Sequence, residues 1–130
     1  MNRETAFTIV TGATFASGNK GTWTYSGPLP PSFNEVIVRQ INYLNVSGQA
    51  IIPYIIYCDL TTQPLGSIYV PTPAATLPFQ STPNTRITNL RPFTNQINFQ
   101  LMKITGGPPT TTVTGDVIVL TLEFITYKNA

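Results

Sequence analysis

Residues 116–127 read Asp-Val-Ile-Val-Leu-Thr-Leu-Glu-Phe-Ile-Thr-Tyr, and their alternation decides the fold class. Ile118, Leu120, Leu122 and Phe124 fall on one side of an extended chain, with Val119, Thr121, Glu123 and Ile125 on the other. A period of two is that of a long β-strand with one face in a core. Gly115 and the Thr-rich run before it mark the start of the strand. A strand this apolar needs neighbours on both edges and a second layer over its apolar face.

The rest of the chain offers such neighbours. Residues 5–10 predict a short strand with Phe7 and Ile9 on one face. Residues 11–21 hold three glycines with Ser and Asn, the composition of a loop. Residues 21–26 predict a strand on which Trp23 and Tyr25 share a side, suited to a core, a subunit contact or a ligand platform. Gly-Pro-Leu-Pro-Pro at 27–31 then breaks the chain. Glu35 to Val46 predicts a second long strand whose apolar residues change face, so a bulge or twist is expected within it. Ser47-Gly48-Gln49 is a turn signal, and Ala50 to Leu60 returns as a strand, so residues 35–60 read as a β-hairpin. Pro53 in that return strand fits an edge or a bulge.

Asp59 to Gly66 predicts a turn and Ser67–Val70 a short strand. Residues 71–85, with four prolines, read as the longest irregular segment, and Arg86 to Leu90 as a brief strand. Phe93 to Ile104 predicts another long strand. Phe93, Ile97, Phe99 and Leu101 face one way, and Gln96, Asn98, Gln100 and Met102 the other. That second face carries amides, which suits directed hydrogen bonding. About eight strands and no helix predict an all-β antiparallel sandwich of jelly-roll topology. An immunoglobulin-like sandwich is the alternative, although its Cys…Trp…Cys spacing is missing. Residues 34–130 form the expected core, with residues 1–33 as N-terminal strands or an arm of the same domain.

Composition narrows the function. Only 9% of the 130 residues are charged, and the net charge of +2 comes from scattered side chains. That excludes the basic footprint of a nucleic-acid binder. A neutral, hydrogen-bonding surface suits contact with other protein copies, and also suits a plain Thr-rich β-protein. Histidine is absent, which removes Ser–His and Cys–His catalysis and most zinc sites. Cys58 is the single cysteine, expected to be unpaired, buried and unreactive. Gly12 with Gly18-Asn19-Lys20 lacks the spacing of a phosphate loop. Asn45-Val46-Ser47 has the form of a glycosylation sequon and reads as chance.

Five carboxylates are present, Glu4, Glu35, Asp59, Asp116 and Glu123. Glu35 and Glu123 lie on strands, without the pattern of a glycosidase pair. Asp59 and Asp116 sit at strand ends, where a carboxylate accepts backbone N–H bonds. No ligand-rich calcium loop surrounds Asp59. Trp23, Tyr25, Tyr54, Tyr57 and Tyr69 are the aromatics available for stacking on a sugar. No catalytic, cofactor-binding or metal-binding residue is assigned. The N-terminus lacks the apolar run of a signal peptide and no stretch is long enough to span a bilayer, so synthesis in a reducing compartment is expected.

The order of landmarks carries a resemblance. Val-Arg-Gln-Ile-Asn-Tyr-Leu-Asn (38–45) precedes Tyr-Ile-Ile-Tyr-Cys-Asp-Leu (54–60) and Leu-Gly-Ser-Ile (65–68). Ile-Asn-Phe-Gln-Leu (97–101) and Gly-Asp-Val-Ile-Val-Leu-Thr-Leu-Glu-Phe-Ile-Thr-Tyr (115–127) follow. In layout, residues 34–128 resemble small single jelly-roll structural proteins of eukaryotic double-stranded DNA viruses, such as minor capsid and spike-head proteins of giant viruses and virophages. The resemblance implies a non-enzymatic virion component. Its expected partners are copies of itself (a trimer first, a pentamer second) and other capsid proteins. A receptor- or glycan-binding head is the alternative. Sparse charge and the apolar outer side of residues 117–127 add to the expectation of a closed homo-oligomer.

Overall fold

The computed structural model describes residues 2–25, 27, 33–46, 51–70, 79–91, 95–104 and 115–129. Ten strands run in chain order: β1 (Asn2–Val10), β2 (Ala13–Ser17), β3 (Lys20–Thr24), β4 (Glu35–Leu44), β5 (Ile51–Cys58), β6 (Gly66–Val70), β7 (Phe79–Ser81), β8 (Thr85–Ile87), β9 (Gln96–Lys103) and β10 (Val117–Asn129). Every pairing is antiparallel. The described residues contain no helix, and so none long and apolar enough to cross a membrane.

The stretch that decided the fold class lies at the centre of the first sheet. β10 has β1 on one edge and β4 on the other, and β4 in turn pairs β7 and β8. Ile118, Leu120, Leu122 and Phe124 are all at most 1% exposed. Burying each such side chain stabilises the fold by roughly 1.5–3 kcal/mol. The second sheet runs β2-β3-β9-β5-β6 and supplies Phe15, Ile97, Phe99, Leu101, Ile56 and Ile68 to the same core. β2 also pairs the start of β10, which joins the sheets, and β6 approaches β7 on the far side. The result is an antiparallel sandwich closed almost into a barrel.

The chain turns between sheets at Thr11. Its N–H donates to Leu120 O at 2.9 Å, and its hydroxyl accepts from Leu120 N at 3.1 Å. One buried threonine thus satisfies the corner where a ladder bond would otherwise be lost. The change of face expected in β4 is a bulge at Arg39. Thr121 pairs Gln40 and Leu122 pairs Val38, leaving Arg39 unopposed and pointing to solvent. Pro53 likewise falls where the β5–β6 register shifts between Ile51 and Tyr54, so its missing N–H breaks no regular ladder.

Four expectations need correction. Residues 11–21 are not a loop: Ala13 and Phe15 are buried while Thr14 and Ala16 are exposed, the alternation of a strand. The real turn is Gly18-Asn19, where Gly18 takes φ 65°, a left-handed value that glycine adopts freely. Residues 35–60 are not a hairpin, because β4 lies in the first sheet and β5 in the second. Val36, Val38, Ile41 and Tyr43 on β4 and Tyr54, Ile56 and Cys58 on β5 are buried, and crossing between layers lets each strand face the core from its own side. The segment 71–85 is not wholly irregular, since Phe79–Ser81 pairs β4. The count is ten strands rather than eight, because β2 and β7 add to those expected. The turns expected at 28–31, 47–49 and 106–114, and the placement of Phe93, lie outside the described residues.

Candidate functional site

The outer face of the second sheet carries an open groove of about 490 Å³. Three adjacent strands, β3, β9 and β5, build it by register. Lys20 pairs Gln100, which pairs Tyr57, and these three form one row across the sheet. Thr22 pairs Asn98 in the next row, and Asp59 continues β5 beside them. Arg91 completes the rim, held where its N–H donates to Leu60 O at 2.7 Å. Because side chains alternate, the core residues Phe99 and Cys58 back these polar ones from the other side.

The two rows differ in their hydrogen bonding. Thr22 Oγ1 donates to Asn98 Oδ1 at 2.6 Å, and Asn98 Nδ2 donates to Asp59 Oδ2 at 2.7 Å. Asn98 N also donates to Asp59 Oδ1 at 3.1 Å. That row is a fixed floor, with both Asp59 oxygens engaged. Lys20, Tyr57, Gln100 and Arg91 make no side-chain hydrogen bond to the described residues. The groove therefore presents two cations, an amide, a phenol and the exposed Asp59 carboxylate to whatever enters.

Gly21 lies between these residues on the core side of β3. A Cβ there would sit 2.8 Å from Thr14 O, closer than real Cβ contacts come. Glycine is what lets β2 and β3 approach.

The sequence-expected residues distribute over several places. Tyr57, Asp59 and Asn98 meet in the groove. Tyr54 is buried and Tyr69 stands exposed elsewhere. Trp23 and Tyr25 lie half-buried, with ring centres 5.6 Å apart and Phe7 edge-on to Tyr25 at 6.2 Å. They extend the core rather than form a platform. Cys58 is buried and unpaired, and burial pushes its thiol up to about 11. Lys20, Thr22 and Arg91 were not anticipated. Had residues 11–21 been read as strands, the β3 alternation would have put Lys20 and Thr22 on one face.

Glu35 and Glu123 share the outer face of the first sheet, each beside its own arginine. Arg39 Nη2 donates to Glu123 Oε1 at 3.2 Å, and its Nη1 to Asn84 Oδ1 at 3.2 Å. Arg86 bonds Glu35, and Tyr127 OH donates to Glu35 Oε1 at 2.7 Å. The Tyr127 hydroxyl first, and then Arg86, hold the Glu35 carboxyl below its ordinary value. Each carboxylate is thus engaged by an arginine. Asp116 is fully buried and accepts from Tyr43 OH at 2.5 Å and Val46 N at 2.7 Å. Among the described residues no group of three or more His, Cys, Asp or Glu is placed to hold a metal.

No family model matches this chain, and no curated protein matches its sequence.

On the same outer face, beyond the ion pairs, polar groups thin out. Val10 opposes Thr121, Val119 opposes Asn42, and Val117 opposes Leu44. Val10 is 61% exposed, Leu44 41% and Val46 68%. Val117 and Val119 lie half-buried between them. Aliphatic side chains thus run across three neighbouring strand segments.

Proposed function

We propose that this chain is a non-enzymatic structural subunit of a viral particle, a jelly-roll module that works by self-association. The strand pairings support the jelly-roll reading. β1 pairs β10, β3 pairs β9, β4 pairs β7 and β8, and β5 pairs β6. Apart from β2, which pairs β10 and β3, the first strand pairs the last and the pairing continues inward, as in one long antiparallel ribbon. Rolled up, it brings β10 against β4 and β9 against β5, as two interlocked Greek keys do. The viral setting rests on the resemblance in layout; a fold alone names no function.

The observation that carries self-association is the aliphatic strip of Val10, Val117, Val119 and Leu44, with exposed Val46 just beyond β4, interrupted only by uncharged Thr14, Thr121 and Asn42. A contiguous apolar face on a soluble chain marks a contact surface, and depletion of charge is what interface cores show. Cyclic closure, with a trimer before a pentamer, would stop the contact from running on into fibres. Mass spectrometry and imaging of particles purified from cells that make this protein test the setting. Stoichiometric copies located in the shell or on its spikes support it, and absence from purified particles overturns it.

A second reading, a head that binds a receptor or glycan, is favoured by the groove over β3, β9 and β5. It is open, it carries Tyr57, and its floor is already hydrogen-bonded, which is how a preformed site holds its shape. The two readings use opposite faces of the sandwich and are compatible.

A further inference from the structure

We infer that the groove over β3, β9 and β5 takes an acidic sugar, with its anion on Lys20 or Arg91 and its ring on Tyr57. The inference deepens the second reading above and rests on it. The fixed row supplies the first argument. Each Asp59 carboxylate oxygen already accepts one bond from Asn98, through its N or its Nδ2, and keeps a second lone pair for a sugar hydroxyl. Asn98 Oδ1 already accepts from Thr22. About half of the acceptor capacity that this row could turn to the hydroxyl protons of a neutral sugar is therefore engaged within the protein.

What remains open is of the other kind. Lys20 offers an ammonium and Arg91 a planar fork of N–H donors, and neither has a carboxylate partner among the described residues. Two salt bridges elsewhere account for Arg39 and Arg86; Lys103 likewise has no carboxylate partner among the described residues, but it does not line the groove. Gln100 lies between Lys20 and Tyr57 in the same row, where its amide serves as donor or acceptor for a ring hydroxyl. Tyr57 is half-buried, so part of its ring is supported while part remains free for stacking. Successive rows on one face of a strand are about 6.5 Å apart, so the two rows span about one sugar ring. Donors at the rim, an aromatic face and a rigid floor match a pyranose bearing a carboxylate or a sulfate.

The test compares sugars differing at one carbon. Methyl glucuronide, methyl glucoside 6-sulfate and methyl glucoside are titrated into the full chain, with amide shifts read by NMR. The two anions are expected to perturb Gln100, Asn98 and Tyr57, and to bind at least about fivefold more tightly than the glucoside, the gain of one partly screened ion pair. Lys20→Gln and Arg91→Gln change exposed side chains and leave the fold intact. One or both should erase the anion preference, bringing the two anions to the affinity of the glucoside measured on the same variant. The sulfate arm separates the two anion types: equal binding means charge alone is read, and a glucuronide preference means the planar carboxylate is. Binding of all three sugars alike, unaffected by either variant, overturns the inference and keeps the glycan reading. No shift with any sugar overturns both.

Discussion

Replacing Tyr43 with Phe removes one oxygen from the most shielded polar contact in the fold. Tyr43 and Asp116 are both 0% exposed, and their hydrogen bond measures 2.5 Å. The ring itself packs near Phe15, at 6.1 Å between centres, and Phe preserves that packing. Burial, then the Asp116 carboxyl beside it, drives the Tyr43 hydroxyl far above its ordinary value, so it remains a donor at any working pH. Its loss takes the donor from Asp116 Oδ2, while Val46 N still donates to Oδ1. A buried acceptor that loses such a donor costs about 1.5–3 kcal/mol. For a chain of this size, at about 4 °C per kcal/mol, Tm should fall by about 6–12 °C. Urea denaturation should show a lower midpoint with an unchanged slope. Asp116→Ala should cost more, about 2–5 kcal/mol, because both the Tyr43 hydroxyl and the Val46 N–H lose their acceptor. In that background Tyr43→Phe should be nearly neutral. A Tyr43→Phe protein within about 0.5 kcal/mol of the parent would refute the reasoning.

Three further outcomes follow from the geometry. Gly21→Ala should destabilise the fold by about 1–3 kcal/mol in urea denaturation, because a Cβ there meets the Thr14 backbone and not a movable side-chain tip; full parental stability would show that β2 and β3 separate freely. The depressed Glu35 carboxyl contributes stability that is present above its unfolded value and lost as pH falls through its lower folded value. Glu35→Gln should therefore flatten the acid limb of a Tm-against-pH series below about pH 4.5, the ordinary value, and an unchanged limb would contradict this. Cys58, with its thiol near 11, is about one part in a thousand thiolate at pH 8, so labelling of the native protein should be far slower than of the urea-unfolded chain.

Much of the fold was legible because β9 and β10 keep a strict period of two, with Ile97, Phe99 and Leu101 facing Ile118, Leu120, Leu122 and Phe124 across one core. The bulge at Arg39 was legible for the same reason, since Val36, Val38, Ile41 and Tyr43 cannot share a face without an extra residue. β2 was hidden by Gly12, Gly18 and Asn19, whose turn chemistry outweighs the four-residue alternation of Ala13 to Ala16. The β4–β5 crossing was illegible on physical grounds. A turn signal shows where a chain reverses, but not whether the returning strand pairs its predecessor or passes to the opposite layer. Asp116 was read as a strand-end acceptor of a backbone N–H, and Val46 N supplies that bond. Its second partner, Tyr43, lies 73 positions away, beyond any local pattern. In the groove, Tyr57, Asp59 and the β9 amides were visible as candidates. Their union with Lys20 and Arg91 depends on β3 and β5 flanking β9, which only the register reveals.

The central claim is self-association through the aliphatic strip, and sedimentation velocity of the parent chain beside Val10→Asp tests it most directly. Val10 is 61% exposed, so the substitution places its carboxylate in water in the isolated chain and leaves the fold intact. A closed oligomer is expected for the parent and a folded monomer for Val10→Asp. A parent chain that sediments as a monomer at every concentration, or an oligomer indifferent to Val10→Asp, would contradict it.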